Sequence, residues 1–235
     1  MNISTVKGVS RWLWTQTIDF IYPTRCLGCG DEGPYICLRC ISGLTKADPP
    51  RCELCWSQRT SQTCQACPAV THLDAVRCGF VHQGLAREAV LKLKYGGLSS
   101  AGPEMGARLA EAVHGWTGNA SVVVPVPLHR SRERSRGYNQ AASLAEGFAG
   151  RVGLAVDRDL LRRMKRTRSQ AAGLSYAARL ENVLDAFEAR RPSDGLRIVL
   201  VDDVITTTAT TQACAATLKA AGAESVSAVS FTREG

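Results

Sequence analysis

The sequence predicts an α/β fold: a mostly parallel sheet flanked by helices, with a small N-terminal module built on cysteine. Three observations carry that prediction. Apolar runs at residues 76–82, 121–126, 198–201 and 226–231 read as strands, with helical periodicity between them. Strands separated by helices fold as βαβ units, and those units pair in parallel. Eight of the ten cysteines fall in Cys-x-x-Cys pairs, all ahead of the first of those strands.

At 235 residues the chain suits one medium domain plus a small attachment. We divide it into a leader helix (1–24), a double metal ribbon (25–75) and an α/β domain (76–235). The net charge of +8 and pI of about 9.1 favour anionic partners, either nucleic acid or phosphorylated small molecules. Charge alone does not separate these from a merely basic surface. No Walker motif is present, and no G-x-G-x-x-G follows a strand, which argues against a P-loop NTPase and a dinucleotide-binding fold.

The leader carries Val9, Trp12, Leu13 and Ile18 at spacings that fit one helix face, and Pro23 ends it. Thr15, Gln16, Thr17 and Asp19 interrupt its apolar run, so it does not read as a signal peptide. No run is long enough to span a membrane, and the expected location is the cytoplasm.

The ribbon holds the pairs Cys26/Cys29, Cys37/Cys40, Cys52/Cys55 and Cys64/Cys67. Two thiolates two residues apart grip one face of a tetrahedral ion, and two such turns complete the site. In a chain this long, such pairs indicate metal in a reducing compartment rather than disulfides. Short intervals favour sequential sites: Cys26, Cys29, Cys37 and Cys40 for one Zn²⁺, and Cys52, Cys55, Cys64 and Cys67 for a second. Interleaved pairing is the alternative. Four thiolates leave no open position, so both zincs are expected to be structural. Cys78 and Cys214 stand apart and read as core residues.

Within the α/β domain, residues 85–95 read as a helix that ends in Lys94, Tyr95 and two glycines. Lys94 is a candidate anion contact, or a solvated lysine. A second helix is expected at about 103–114. The strand at 121–126 exits through Pro125, Pro127 and Leu128 into a loop carrying Arg130, Arg132, Arg134 and Arg136. Arginine forks suit phosphate. His129 reads as polar surface, with a general-base role as its functional alternative. Gly137-Tyr138-Asn139-Gln140 is expected to begin the next helix, which reaches about Arg151.

Leu160 and Leu161 suggest a short strand. A basic run follows at 162–170, and residues 175–187 read as helical. The strand at 198–201 then leads into Asp202 and Asp203, the hydroxyl-rich turn of Thr206, Thr207, Thr208, Ala209 and Thr210, and a helix from about 211 to 221. A helix start offers free N–H groups and a partial positive charge to phosphate. The bland alternative is an acidic turn ahead of a capped helix.

Val-Asp-Asp-Val-Ile-Thr-Thr resembles the phosphoribosyl-pyrophosphate (PRPP) motif of type I phosphoribosyltransferases, with Thr208 where that family usually has Gly. Val-Pro-Val-Pro-Leu, Arg-Gly-Tyr-Asn-Gln and the cysteine pairs together resemble the ComF family, of the ComFC/GntX type. Arg168, Gln170, Leu174, Arg179, Asn182 and Ala186-Phe187 match the same pattern. The resemblance implies a zinc ribbon ahead of a phosphoribosyltransferase-like domain linked to competence and DNA uptake. It implies that Asp202 and Asp203 hold ribose hydroxyls, directly or through Mg²⁺. Residues 206–210 would cradle the 5-phosphate, and Pro127, Leu128 and Arg130 or a neighbour would face pyrophosphate. Arg166 to Gln170 would be part of a hood over the site.

Two classes of function fit: a PRPP or sugar-phosphate site, with turnover left open, and a non-catalytic nucleic-acid module using zinc ribbons and basic loops. The expected partners are PRPP or a related sugar phosphate, single-stranded DNA and proteins of the competence machinery.

Overall fold

The computed structural model describes residues 23–58, 64, 71–165 and 185–234. The leader helix, Cys67 and the basic run from Arg166 onward lie outside the described residues. The chain divides into two compact units, Met1–Gly43 and Leu44–Gly235. In the first, Cys26 N donates to Asp31 O at 2.8 Å and Leu27 N to Tyr35 O at 2.8 Å, closing a tight knuckle. A short helix, α1 (Leu38–Ser42), follows Cys37, its N-cap, and carries Cys40.

The second unit holds the sheet. Its elements in order are β1 (Ala75–Val81), α2 (Gly84–Tyr95), α3 (Ala101–Ala112), β2 (Val122–Pro125), α4 (Arg130–Arg136), α5 (Gln140–Val152), β3 (Ala155–Val156), β4 (Leu161–Arg163), β5 (Phe187–Ala189), β6 (Arg197–Ile205), α6 (Ala209–Ala220) and β7 (Ser225–Arg233). Five strands pair in the order β1-β7-β6-β2-β3, every neighbour parallel. The fold is the expected mostly parallel sheet flanked by helices. β4 and β5 form a separate antiparallel pair. Residues 45–47 cover the outer edge of β1 through Ala47 N to Gly79 O and Val81 N to Thr45 O.

The apolar runs bury as their pattern demands. Ile198, Val199, Leu200 and Val201 are all at most 1% exposed, because β6 lies inside the sheet with both faces covered. The helices α3 and α5 approach backbone to backbone. A methyl group on Gly106 would overlap Leu144 O, and one on Gly147 would overlap Pro103 O. That contact fixes α5 against the sheet and sets where its N-terminus, the start of the candidate site, emerges.

Three expectations change. The arginine-rich stretch is helix α4, not loop. His129 caps it by accepting from Ser131 N, and Gly137 ends it at φ 82°, with its N–H on Glu133 O at 2.7 Å. The helix expected to reach Phe187 does not do so: Phe187 begins β5, paired across from Arg163. β6 runs on through the acids to Ile205, so Asp202 and Asp203 sit in the strand's last turns rather than beyond it.

Candidate functional site

β2 and β6 are parallel neighbours, so their C-terminal ends open at the same edge of the sheet. Along β6 successive side chains alternate faces. Asp203 turns inward and is 3% exposed, while Asp202 is half-buried and faces a cavity. Lys94, from the last turn of α2, places Nζ 2.8 Å from Asp203 Oδ1. Asp203 Oδ2 is buried with no hydrogen-bond partner among the described residues. Burial, followed by the charge of Asp203, pushes the Asp202 carboxyl up to about 7, against the pull of Lys94.

The opposite wall is built by the Arg-Gly-Tyr-Asn-Gln segment. Asn139 caps α5 by accepting from Ala141 N at 3.0 Å, and its Nδ2 donates to Val126 O at 3.1 Å. One side chain thereby ties the helix start to the end of β2 and sets the path of Pro127 and Leu128. Tyr138 Oη donates to Leu93 O, joining the same segment to α2. Gln140 is 4% exposed, and its Oε1 has no partner among the described residues.

A cavity of about 190 Å³ lies between these walls. It brings together Lys94, Pro127, Leu128, Asp202, Asp203 and Thr210 from the residues expected by sequence. It does not bring in Arg130. That residue lies on the neighbouring cavity of about 450 Å³, with Arg158, Arg162 and Arg190. Arg132 and Arg136 take its place, and Arg163 lines both cavities. The reason is helical: in α4, residues four apart share a face, so 132 and 136 point together. Tyr95 was also missed. It is 72% exposed at the rim, with the Arg136 guanidinium 4.9 Å from its ring centre. Reading residues 130–136 as a helix would have found the arginine pair, and Gly137 was the signal.

Beyond Asp202 the turn at 206–208 encloses a cradle of about 30 Å³ lined by Thr206, Thr207, Thr208, Ala209 and Thr210. Thr208 stands at the N-cap of α6 with φ 60°, the left-handed region. Its hydroxyl does not cap. It donates back to Thr207 O at 2.6 Å, while Thr211 Oγ1 and Gln212 N bond to Thr208 O at 2.9 and 2.8 Å. The N-terminus of α6 therefore carries no side-chain cap from Thr208, and Ala209, Thr210 and Thr211 line the cradle, an arrangement suited to an oxyanion.

The cysteines gather as two sequential clusters. Cys26, Cys29, Cys37 and Cys40 have sulfurs within 4.8 Å of one another, as do Cys52, Cys55 and Cys64; Cys67 lies outside the described residues. Cys29 and Cys37 sulfurs are 3.8 Å apart, and those of Cys55 and Cys64 3.4 Å. Zn–S bonds of about 2.3 Å at tetrahedral angles put sulfurs about 3.8 Å apart, so both clusters fit the ion. Burial raises the Cys26 thiol, but N–H groups of Cys37, Cys29 and Gly28 outweigh it and bring it down to about 6. The knuckle's backbone is thus already arranged for a thiolate.

No family model matches the chain. DNA utilization protein YhgH of Salmonella typhi is 38% identical over 104 residues, 44% of this chain and 45% of the relative. Competence protein F of Haemophilus influenzae is 34% identical over 107 residues, 44% of this chain and 46% of the relative. These matches therefore span somewhat under half the length of either relative. Competence protein ComFC of Bacillus subtilis is 26% identical over 212 residues, 84% of this chain and 82% of the relative. Among solved structures, the glutamine PRPP amidotransferase of B. subtilis, complexed with ADP and GMP, is similar at TM-score 0.39 and 25% identity, covering 56% of this chain and 26% of that one. Adenine phosphoribosyltransferase of Leishmania tarentolae is similar at TM-score 0.34 and 18% identity, covering 56% of each chain.

Proposed function

From the homology of this chain to the competence proteins F and ComFC, we propose that it binds PRPP or a related sugar phosphate as part of DNA handling. The observation that supports this most is the convergence of Asp202, Lys94-paired Asp203, the uncapped α6 N-terminus and the Pro127–Leu128 turn on one edge of the sheet. Asp202 and the unpartnered Oδ2 of Asp203 are the oxygens that hold ribose hydroxyls, directly or through hydrated Mg²⁺. The α6 N–H groups and the threonine hydroxyls take the 5-phosphate. Arg132 and Arg136 neutralise the pyrophosphate end.

Cys26, Cys29, Cys37 and Cys40 would hold one structural zinc, and Cys52, Cys55 and Cys64, with Cys67, a second. Their thiolates close the coordination sphere, so the metal supplies folding energy rather than chemistry.

Calorimetric titration with PRPP and Mg²⁺ tests the reading. The native chain binds at micromolar to sub-millimolar ligand, and Asp202→Asn with Asp203→Asn loses that binding. A native chain silent at millimolar PRPP rejects it.

The nucleic-acid reading draws on one observation, the arginines around the larger cavity. Arg158, Arg162 and Arg190 there are paired with Glu146, Glu188 and Asp159, which leaves less charge for a phosphate backbone. Single-stranded DNA affinity that falls steeply with salt, and falls again on neutralising Arg130 and Arg132, supports it.

A further inference from the structure

The described end of the chain holds a buried cation that neither the site nor the sheet requires. Arg233 closes β7 and is 5% exposed. Its Nη1 donates to Ile205 O at 3.0 Å and to Thr206 O, the two carbonyls at which the strand becomes the phosphate turn. Its Nη2 donates to Ser57 Oγ at 2.8 Å. Ser57 Oγ is in turn 3.3 Å from Cys55 Sγ, a member of the second cysteine cluster. One guanidinium therefore spans from the metal cluster to the start of the turn. A second tether reaches the turn's other end. His72 N, just past the cysteine pairs, donates to Gln212 Oε1 at 2.9 Å, and Gln212 N bonds to Thr208 O.

We propose that Arg233 is a positioning residue through which metal at the second cysteine cluster sets the conformation, and hence the phosphate affinity, of the turn at residues 206–210. This rests on the reading of that turn as a phosphate cradle. The direction of coupling follows from charge and proton count. Among the described residues Arg233 donates only to neutral oxygens, so its own charge is buried without compensation from them. A divalent ion held by the thiolates of Cys52, Cys55 and Cys64 would carry net negative charge and supply that compensation. Ser57 Oγ accepts from Arg233, which leaves its own hydrogen to donate to Cys55 once that sulfur is a thiolate. Metal binding thus strengthens every link of the chain from Cys55 to Thr206. By linkage, a ligand that orders the turn raises metal affinity by the same factor.

The test uses the full-length zinc-loaded chain and its variants Arg233→Gln, Arg233→Lys and Ser57→Ala. Ser57→Ala replaces neither a metal ligand nor the arginine and removes only the hydroxyl between them, so it guards against misfolding. Deuterium exchange of the amides at 206–212 reads the turn, and zinc transfer to a coloured chelator reads the metal. Arg233→Gln should raise exchange at 206–212 and speed loss of one of the two zincs, each by about tenfold, as is usual for groups just outside a metal's ligands. Ser57→Ala should move both readouts the same way, and Arg233→Lys should restore part of the change. Removing zinc should loosen the turn in the native chain and add little in Arg233→Gln. Equal loosening in both, or exchange unchanged in Ser57→Ala and Arg233→Gln, overturns the proposal. PRPP titration of the same samples separates the two ideas. Coupled exchange without PRPP binding sinks the phosphate reading and leaves the tether. PRPP binding that ignores zinc and Arg233 sinks the tether and leaves the reading.

Discussion

Lys94 Nζ lies 2.8 Å from Asp203 Oδ1, with the lysine side chain 22% exposed and the aspartate 4%. The pair joins the end of α2 to the end of β6 and makes a buried carboxylate tolerable. Removing one partner leaves the other charge buried alone. Lys94→Met should therefore lower unfolding free energy at neutral pH by about 3 kcal/mol, and adding Asp203→Asn should return most of it. Urea unfolding of the two single variants and the double variant measures this. A Lys94→Met chain as stable as the native one means the pair is not formed in solution.

Asp202 gives the site a pH dependence with a definite sign. Its carboxyl is raised to about 7, by burial first and the neighbouring acid second. The raised value therefore costs stability: the cost is absent below the unfolded value, grows as pH rises from the ordinary carboxylate range toward 7, and is complete above 7. Ligand binding runs the other way. Ribose hydroxyls and hydrated Mg²⁺ favour the ionised form, so affinity for PRPP with Mg²⁺ should rise between pH 6 and 8. The rise is at most about tenfold per unit, the limit for one released proton. Asp202→Asn should flatten the part of the profile that the ligand's own ionisation does not explain.

The elements legible in the sequence were those with a repeating apolar signal. The runs beginning at Val76, Val122, Ile198 and Val226 are strands; Ile198 to Val201 is unbroken apolar because both its faces are buried, whereas Val76, Cys78 and Phe80 bury from an edge strand that also carries Arg77. Their parallel order brought Asp202 and Pro127 to one edge, as expected from βαβ connection alone. Helix α4 carries no apolar residue, so periodicity was blind to it; only its cap, Gly137, marked the end. Arg233 escaped for a different reason. A charged residue at the end of a strand reads as solvated, yet β7 lies between β1 and β6, and an interior strand buries even its last side chain.

Thr208 is the residue at which the turn departs from the pattern it resembles, and its φ of 60° shows why glycine suits that place. An L-residue held left-handed costs about 1–2 kcal/mol, and β-branching adds crowding. Thr208→Gly relieves this but frees the unfolded chain, so the net gain should be about 0.5–1 kcal/mol. The backbone of the turn is unchanged by it, and PRPP should bind more tightly because the cradle loses a β-carbon. Thermal unfolding and titration of the one variant check both. Weaker binding would mean that the threonine hydroxyl, not its backbone, serves the ligand.

The arginine assignment separates two otherwise similar residues. Arg136 lines the cavity with the acids, whereas Arg130 lines its neighbour. A charge-assisted hydrogen bond contributes about 1.5–3 kcal/mol, so Arg136→Ala should weaken PRPP or pyrophosphate binding by about tenfold or more. Arg130→Ala should leave that affinity within about twofold, the range of surface substitutions. Equal losses from both would place the pyrophosphate across the two cavities rather than in one.

The sequential grouping of cysteines makes the metal content divisible. Cys26, Cys29, Cys37 and Cys40 gather without any contribution from the second cluster, and Cys52, Cys55 and Cys64 likewise. Metal analysis of the native chain should find two zincs per chain. Cys29→Ser should remove one and leave the other, whereas an interleaved arrangement would disturb both. The lost ion should loosen the knuckle closed by Cys26 N to Asp31 O and leave the unit Leu44–Gly235 cooperative in unfolding. Cys55→Ser should act on the other ion and, because Ser57 stands between that sulfur and Arg233, should loosen the turn at 206–210 as well. Only the second substitution should change exchange at the phosphate cradle, and that contrast is read in one experiment on the two variants.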